Sequence, residues 1–262
     1  MRQHGIKHEI HLTQHPGHAT QLVASQGCEF ERIIVCGGDG TLHEALQGLN
    51  LQRQHLGLIP CGTGNDFAWM NHIPRGIEAA VERIARQQPR RIDLGTCNQV
   101  RFHNSVGVGF EAQVNWESQQ IRRLRGAAVY AAAVFKTLSQ RRTWPSRIAW
   151  EGGEWSGDLF LASICQGARV GGAFRMAPAA RNDDGLLDLM FAARTSLWNI
   201  LRLLPRTLNG SHTRSADVQL ATTPWVRLES PQGIPVHLDG EFIGRNETAL
   251  DIQILPAALS LL

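Results

Sequence analysis

Two short apolar runs, each ending in a glycine-rich turn and handing over to a helical pattern, constrain this chain more than any other feature. Arg32 to Cys36 is a β-branched run that stops at Gly37-Gly38, after which Leu42, Ala45, Leu46 and Leu49 recur at helical spacing. Leu56 to Pro60 repeats the arrangement, ending in Cys61-Gly-Thr-Gly-Asn-Asp66, and a helix is predicted over 76–86. Continuous apolar runs of this length mark strands buried on both faces, and strand–turn–helix alternation is the grammar of a parallel α/β sheet. Ligands of such sheets sit at the carboxyl ends of the strands, where both turns fall. Lys7 to Thr13 is read as a further strand and His18 to Gln26 as a helix.

Glycine lets the backbone of such a turn approach a bulky ligand with no Cβ in the way. The helix that follows offers unpaired N–H groups and a positive dipole end, which suits phosphate. Asp39 would repel a bare phosphate and therefore implies a cation, which magnesium-bound ATP supplies. Taken alone, Gly37-Gly-Asp-Gly40 is equally well a packing turn, and Asn65 or Asp66 equally well a helix cap. Two such turns on neighbouring parallel strands would bring Asp39 and Asp66 together and favour a phosphate site.

Beyond Arg91 the pattern changes. Strands are predicted at 101–108, 147–150, 158–165, 186–192, 218–220, 226–229, 236–238 and 250–255, separated by turns rich in Gly, Pro, Asn and Asp. This suggests an antiparallel sandwich interrupted by helices at about 118–140 and 195–208. The predicted organisation is α/β plus all-β: a nucleotide-binding domain over 1–93, a β-sandwich domain over 94–255, and a tail at 256–262 that returns to the first domain. With 262 residues, 43% hydrophobic, the chain has enough material for both cores.

Charge and cysteine content exclude several classes. Twenty-six Lys and Arg against 23 Asp and Glu give a net charge of +3, too mild to imply a nucleic-acid partner. Five scattered cysteines with no Cys-x-x-Cys pair argue against a disulfide framework and a zinc site, and fit a cytoplasmic location. The chain has neither a signal-like start nor an apolar run of the ~18 residues a span requires. Ile121 to Arg147 carries seven basic residues and no acidic one, interleaved with Val129, Tyr130, Val134, Phe135, Leu138 and Trp144. Such a segment either lies on an anionic membrane surface or packs with a solvated basic face. Trp198, Leu201, Leu203 and Leu204 pose the same choice.

The sequence resembles the catalytic domain of the diacylglycerol kinase family, which includes bacterial lipid kinases and the sphingosine and ceramide kinases. The runs that carry the likeness are Cys36-Gly-Gly-Asp-Gly-Thr-Leu-His-Glu44, Gly57-Leu-Ile-Pro-Cys-Gly-Thr-Gly-Asn-Asp-Phe-Ala68, Ile92-Asp-Leu-Gly95, Asn104-Ser-Val-Gly-Val-Gly-Phe-Glu-Ala112, Asp183-Asp-Gly-Leu-Leu-Asp188 and Leu238-Asp-Gly-Glu241. They follow the family's order over nearly the whole chain.

The resemblance implies a first domain of the NAD kinase and phosphofructokinase type and an ATP-dependent transfer of phosphate to a diacylglycerol-type lipid alcohol. It implies that Thr13, Gly37, Gly38, Asp39, Gly40, Thr41, Leu42, His43 and Thr63 hold the nucleotide. Asp184 and the backbone carbonyls of Arg181 and Leu186 would bind Mg2+, Glu241 would act as general base, and Asp39 and Asp66 would link metal and active site. A homodimer is compatible with it, as is peripheral membrane contact through 121–147.

The chain departs from the family pattern at its start, where the usual opening strand and its Asn-Pro-x-Ser-Gly-like turn are absent. That implies an upstream start or a reduced nucleotide site. Ala179 stands where a polar residue is common. Two other readings compete: a soluble-substrate kinase of the wider superfamily, and a non-catalytic nucleotide- or lipid-binding protein.

Overall fold

The computed structural model describes residues 5–86, 88–121 and 127–262. Helix α1 (His18–Ser25) precedes strand β1 (Arg32–Gly37), helix α2 (Asp39–Gly48) and strand β2 (His55–Pro60). Short helix α3 (Asp66–Met70) and helix α4 (Ile77–Arg86) follow, then strand β3 (Arg90–Cys97). Strands β1 and β2 pair in parallel, from Arg32 opposite His55 to Gly37 opposite Pro60, so both chains reach the same sheet edge in register. Leu42, Leu46, Leu56, Leu58 and Phe67 close the core beneath them.

The second half is antiparallel. It contains β4 (Val100–Phe102), β5 (Ser105–Gly109), α5 (Phe110–Gln120), α6 (Ala127–Gln140), β6 (Trp144–Trp150), β7 (Gly153–Cys165) and β8 (Leu187–Ala193). Helix α7 (Leu197–Leu203) runs into 3-10 turns, and β9 (Gln219–Thr223), β10 (Trp225–Leu238) and β11 (Glu241–Leu261) complete the chain. Their inner faces form one apolar core around Phe102, Ile148, Leu159, Ile164, Phe191, Leu228 and Ile252.

Strand β11 joins the two halves. It pairs with β10 and β3 antiparallel, and its last residues, Ser260 and Leu261, pair in parallel with His55 and Leu56 of β2. Leu259 and Leu261 are buried in the N-terminal core.

Several sequence expectations need correction. Lys7 to Thr13 forms no strand: it is exposed and makes no ladder, with Ile10 77% and Leu12 79% accessible. Its alternation has a strand's period, but a strand needs a neighbour to hydrogen-bond, and among the described residues β1 pairs only with β2. The strand expected at 101–108 is two, broken at His103-Asn104, whose backbone N–H groups bond to a side chain instead of a ladder. The helix expected at 118–140 is α5 and α6, with Arg122, Arg123 and Arg125 outside the described residues. The separate strands predicted at 226–229 and 236–238 are one strand with register shifts between Glu229 and Ile234, because Pro231 and Gly233 bend the ladder without ending it. Strand β3 was not foreseen.

Candidate active site

The two glycine turns meet backbone to backbone. A Cβ placed on Gly62 would fall 2.5 Å from the Gly38 Cα, and one on Gly38 would fall 2.9 Å from the Gly62 Cα. No side chain fits between them. Asn65 holds the second turn in shape: it adopts a left-handed conformation, accepts from the Gly62 N–H at 2.9 Å and donates to the Gly62 carbonyl at 2.7 Å. The Asp39 carboxylate reaches across from the first turn to the second helix, accepting from the backbone N–H of Asp66 at 3.2 Å and of Phe67 at 3.3 Å. Asp39 thus caps α3 from another element, and the two acids converge as neighbouring parallel strands would bring them.

Asp66 is buried. It accepts from Arg169 Nε at 2.7 Å and from the Gly172 N–H at about the same reach, 3.0 Å. Burial pushes its carboxyl above the usual range; the Gly172 N–H opposes this, and the charge of Asp39 adds to it. Arg169 also donates to the Gly64 carbonyl at 3.0 Å and lies over the Trp69 ring. Sequence reasoning missed Arg169, since a lone arginine 103 residues from its partner gives no local signal.

From the sandwich side, β10 turns into β11 through Asp239 and Gly240, both at positive φ, as a two-residue hairpin requires. This turn presents Glu241 to the glycine turns: a Cβ on Gly40 would fall 2.5 Å from Glu241 Oε1. The turn is braced. Asn115 of α5 donates to the Gly240 carbonyl at 2.7 Å, and the Gly240 N–H donates to His237 Nδ1 at 3.2 Å. His237 in turn meets Glu111 at 3.2 Å.

The Asp239 side chain is fully buried and ties the halves together. Its carboxylate accepts from the N–H groups of Asn104 (2.8 Å), His103 (3.0 Å) and Ser105 (3.1 Å), and lies 2.9 Å from His43 Nδ1 on α2. Burial alone would raise this carboxyl, but the charges of His103 and His43 and the donated hydrogen bonds outweigh it and draw it down to about 2. His43 is raised despite burial, chiefly by Asp239. Asp239 therefore contributes about 2 kcal/mol that is complete above its unfolded value and is lost as pH falls toward 2. The His43 contribution is present below its ordinary value near 6.5 and is lost as pH rises through the folded one. Thermal melts should show the acid limb in the native chain, and Asp239→Asn should lack it. A native curve with no loss between about pH 4 and 2 would contradict this assignment.

The other candidate residues are placed as follows. Gly37, Gly38, Gly40, Thr41 and Thr63 line the turns, Thr63 exposed. Leu42 has its side chain in the core, and that of His43 is engaged by Asp239, so each offers only backbone toward the turns. Thr13 lies in the exposed, unpaired segment. Helix α1 behind it is fixed by Glu44 of α2, which accepts from the N–H groups of Gly17 (2.8 Å) and Ala19 (3.2 Å).

Asp184 and Leu186 share a loop in which Asp184 Oδ1 accepts from the Leu186 N–H at 3.1 Å. Buried Asp93 holds this loop to the domain junction, accepting from the N–H groups of Gly185 and Ala257, each at 2.7 Å. Among the described residues no three His, Cys, Asp or Glu side chains gather as a metal cluster. One carboxylate and two carbonyls are oxygen donors of the kind a hard cation takes, so the Arg181, Asp184 and Leu186 set fits Mg2+ in chemistry. In the sequence Asp93 stood out only within the run Ile92-Asp-Leu-Gly95 that carries the family likeness.

Parallel strands ending in paired glycine turns, closed by a hairpin from a β-sandwich, place the chain in the diacylglycerol kinase and NAD kinase-like fold class. The diacylglycerol kinase catalytic domain family matches residues 1–97, and the YegS C-terminal NAD kinase beta sandwich-like domain family matches residues 104–262. A Chromohalobacter salexigens protein named "Probable lipid kinase YegS-like" is 32% identical over 250 residues, covering 92% of this chain and 79% of that one. The Diacylglycerol kinase of Bacillus subtilis is 30% identical over 247 residues, covering 92% of this chain and 82% of its own. The crystal structure of a diacylglycerol kinase from Bacillus anthracis superposes with a TM-score of 0.72 at 22% identity, over 95% of this chain and 82% of that one. The chain belongs to the lipid kinase family that contains the YegS-like and diacylglycerol kinases.

Proposed function

We propose that the chain transfers the γ-phosphate of ATP to the hydroxyl of diacylglycerol or a closely related lipid. The observation that carries this reading is Glu241 resting against Gly40, an acid from one half aimed at the phosphate turn of the other. The lipid hydroxyl is a poor nucleophile at neutral pH. Glu241 takes its proton as the oxygen–phosphorus bond forms and the bond to the β–γ bridging oxygen breaks, leaving ADP. The backbone N–H groups that follow Gly38 and Gly62 orient the phosphates. Bound Mg2+ supplies charge neutralisation on the phosphate oxygens, and Arg181, Asp184 and Leu186 are the residues that would hold a structural ion. Labelled ATP offered with a panel of lipid alcohols tests this directly. Diacylglycerol should be labelled; labelling of soluble acceptors alone would contradict the reading.

The lipid would arrive from a membrane. Helices α6 and α7 share one apolar cluster, where Ala133, Val134 and Leu138 meet Ile200 and Leu204. Their outer sides leave Phe135 and Trp198 each 77% exposed, with Leu201 beside Trp198. The sequence from 189 to 216 has four arginines and no acid. Tyr130 of α6 packs on Phe174 at 5.0 Å, and Phe174 closes the loop whose Gly172 touches Asp66, so this surface is continuous with the site. No helix among the described residues is long and apolar enough to cross a membrane. Exposed aromatic residues on a segment with arginines and no acid suit an anionic interface. Trp198→Glu should therefore weaken co-sedimentation with phosphatidylglycerol vesicles by about tenfold or more. Activity on a short-chain, soluble diacylglycerol should be unchanged. Undiminished vesicle binding would place the contact elsewhere.

A further inference from the structure

A basic cleft lies away from the glycine turns. At the far end of α3, a cleft of about 450 Å³ is lined by Arg83, Arg90 and Arg181 together with Asn71, His72 and Asp183. Three guanidinium groups face one carboxylate, and that carboxylate is paired: Arg181 Nε donates to Asp183 Oδ1 at 3.0 Å on the exposed rim. Arg83 and Arg90 have no acidic partner among the described residues. Arg83 Nη1 donates to the His72 carbonyl at 2.8 Å, and Arg90 Nη2 donates to Asn71 Oδ1 at 2.5 Å. Arg83 Nε is buried and has no hydrogen-bond partner among the described residues. Burial, and after it the charge of Arg90, lowers the Arg83 guanidinium from its ordinary value.

These contacts leave the like charges of Arg83 and Arg90 facing one another across the cavity and the buried Arg83 Nε unmet among the described residues, both at a cost to the fold. An anion resolves both, and the forked donors of arginine match phosphate oxygens. The volume exceeds what one tetrahedral ion needs and falls within the range of small-molecule sites, so it accommodates a group attached to the phosphate.

We infer that this cleft binds a phosphate group, either free or carried on an ester, in contact with Arg83, Arg90 and Arg181. The cleft is wired to the site already described. Asn71 Oδ1 accepts from both Arg90 and Asn182 Nδ2, the latter at 3.0 Å, and the Asn182 carbonyl accepts from the Asp93 N–H at 2.8 Å. Occupation therefore stiffens the loop that holds Asp184 and the helix that begins at Asp66.

Calorimetry of the full chain, without nucleotide and in chloride buffer of matched ionic strength, tests the inference with inorganic phosphate as the probe. Phosphate should bind, and Arg83→Gln should weaken it about tenfold while magnesium–ATP affinity stays unchanged. If Arg83→Gln does not fold, Arg90→Gln is read in its place. Soluble dihexanoyl phosphatidic acid as competitor distinguishes the sources: displacement of phosphate assigns a lipid headgroup, and no displacement assigns a free phosphate. Equal heats with chloride, unaltered binding in the arginine variants, or displacement of the phosphate by ATP would each overturn the assignment, the last by locating the anion on the glycine turns.

Discussion

Glu241→Gln is expected to lower turnover by about 10²–10⁴-fold, the range by which a positioned general base accelerates proton transfer. Glutamine keeps the size of the side chain and removes its basicity. Magnesium–ATP affinity and the thermal midpoint should both be retained, because Glu241 is exposed at the hairpin and holds no helix or core in place. The hairpin itself is maintained by Asp239, Asn115 and His237, none of which is touched. Initial rates at saturating ATP and lipid, alongside equilibrium nucleotide binding, separate the two quantities. A variant as fast as the native chain would remove Glu241 from the chemistry.

Asp39→Ala is expected to abolish measurable transfer and also to destabilise the chain. Two N–H groups, those of Asp66 and Phe67, lose their acceptor when the carboxylate is removed. Loss of a helix cap costs about 1 kcal/mol, which corresponds to a fall of about 2–4 °C in midpoint for a domain of this size. Asp39→Asn retains an oxygen for those donors and should recover most of the stability. It should not recover the rate if Asp39 has its proposed role, because the charge that would partner a cation beside the phosphates is gone; a loss of about 10²–10³-fold is expected. If Asp39→Asn turned over normally, the acid would be a cap and nothing more.

The sequence made some parts of this architecture plain and hid others. The turns after β1 and β2 were legible because glycine, asparagine and aspartate there are demanded by local backbone geometry: Asn65 is left-handed, and Gly38 and Gly62 touch. Asp239-Gly240 follows the same local logic, both residues standing at positive φ in a two-residue hairpin. What depends on distant partners was not. Arg169 meets Asp66, Glu44 caps α1, and Asp239 bonds His43 across 196 residues, and no local periodicity announces any of these. Lys7 to Thr13 failed in the opposite direction: its alternation of Ile10 and Leu12 is that of a strand, yet pattern without a neighbour does not make one. Strand β3 was missed because Arg90, Arg91 and Asp93 dilute its apolar run, although its inner residues, Ile92 and Leu94, are wholly buried.

The proposed transfer requires a nucleotide lying over the two glycine turns with its terminal phosphate toward Glu241. Crystallography of the chain with a non-hydrolysable ATP analogue and Mg2+ addresses that arrangement without intermediaries. The triphosphate is expected against residues 37–41 and 62–64, with the terminal phosphate on the side of Glu241 and room between them for a lipid hydroxyl. A triphosphate bound elsewhere, or one whose terminal phosphate points away from Glu241, would contradict the proposed transfer.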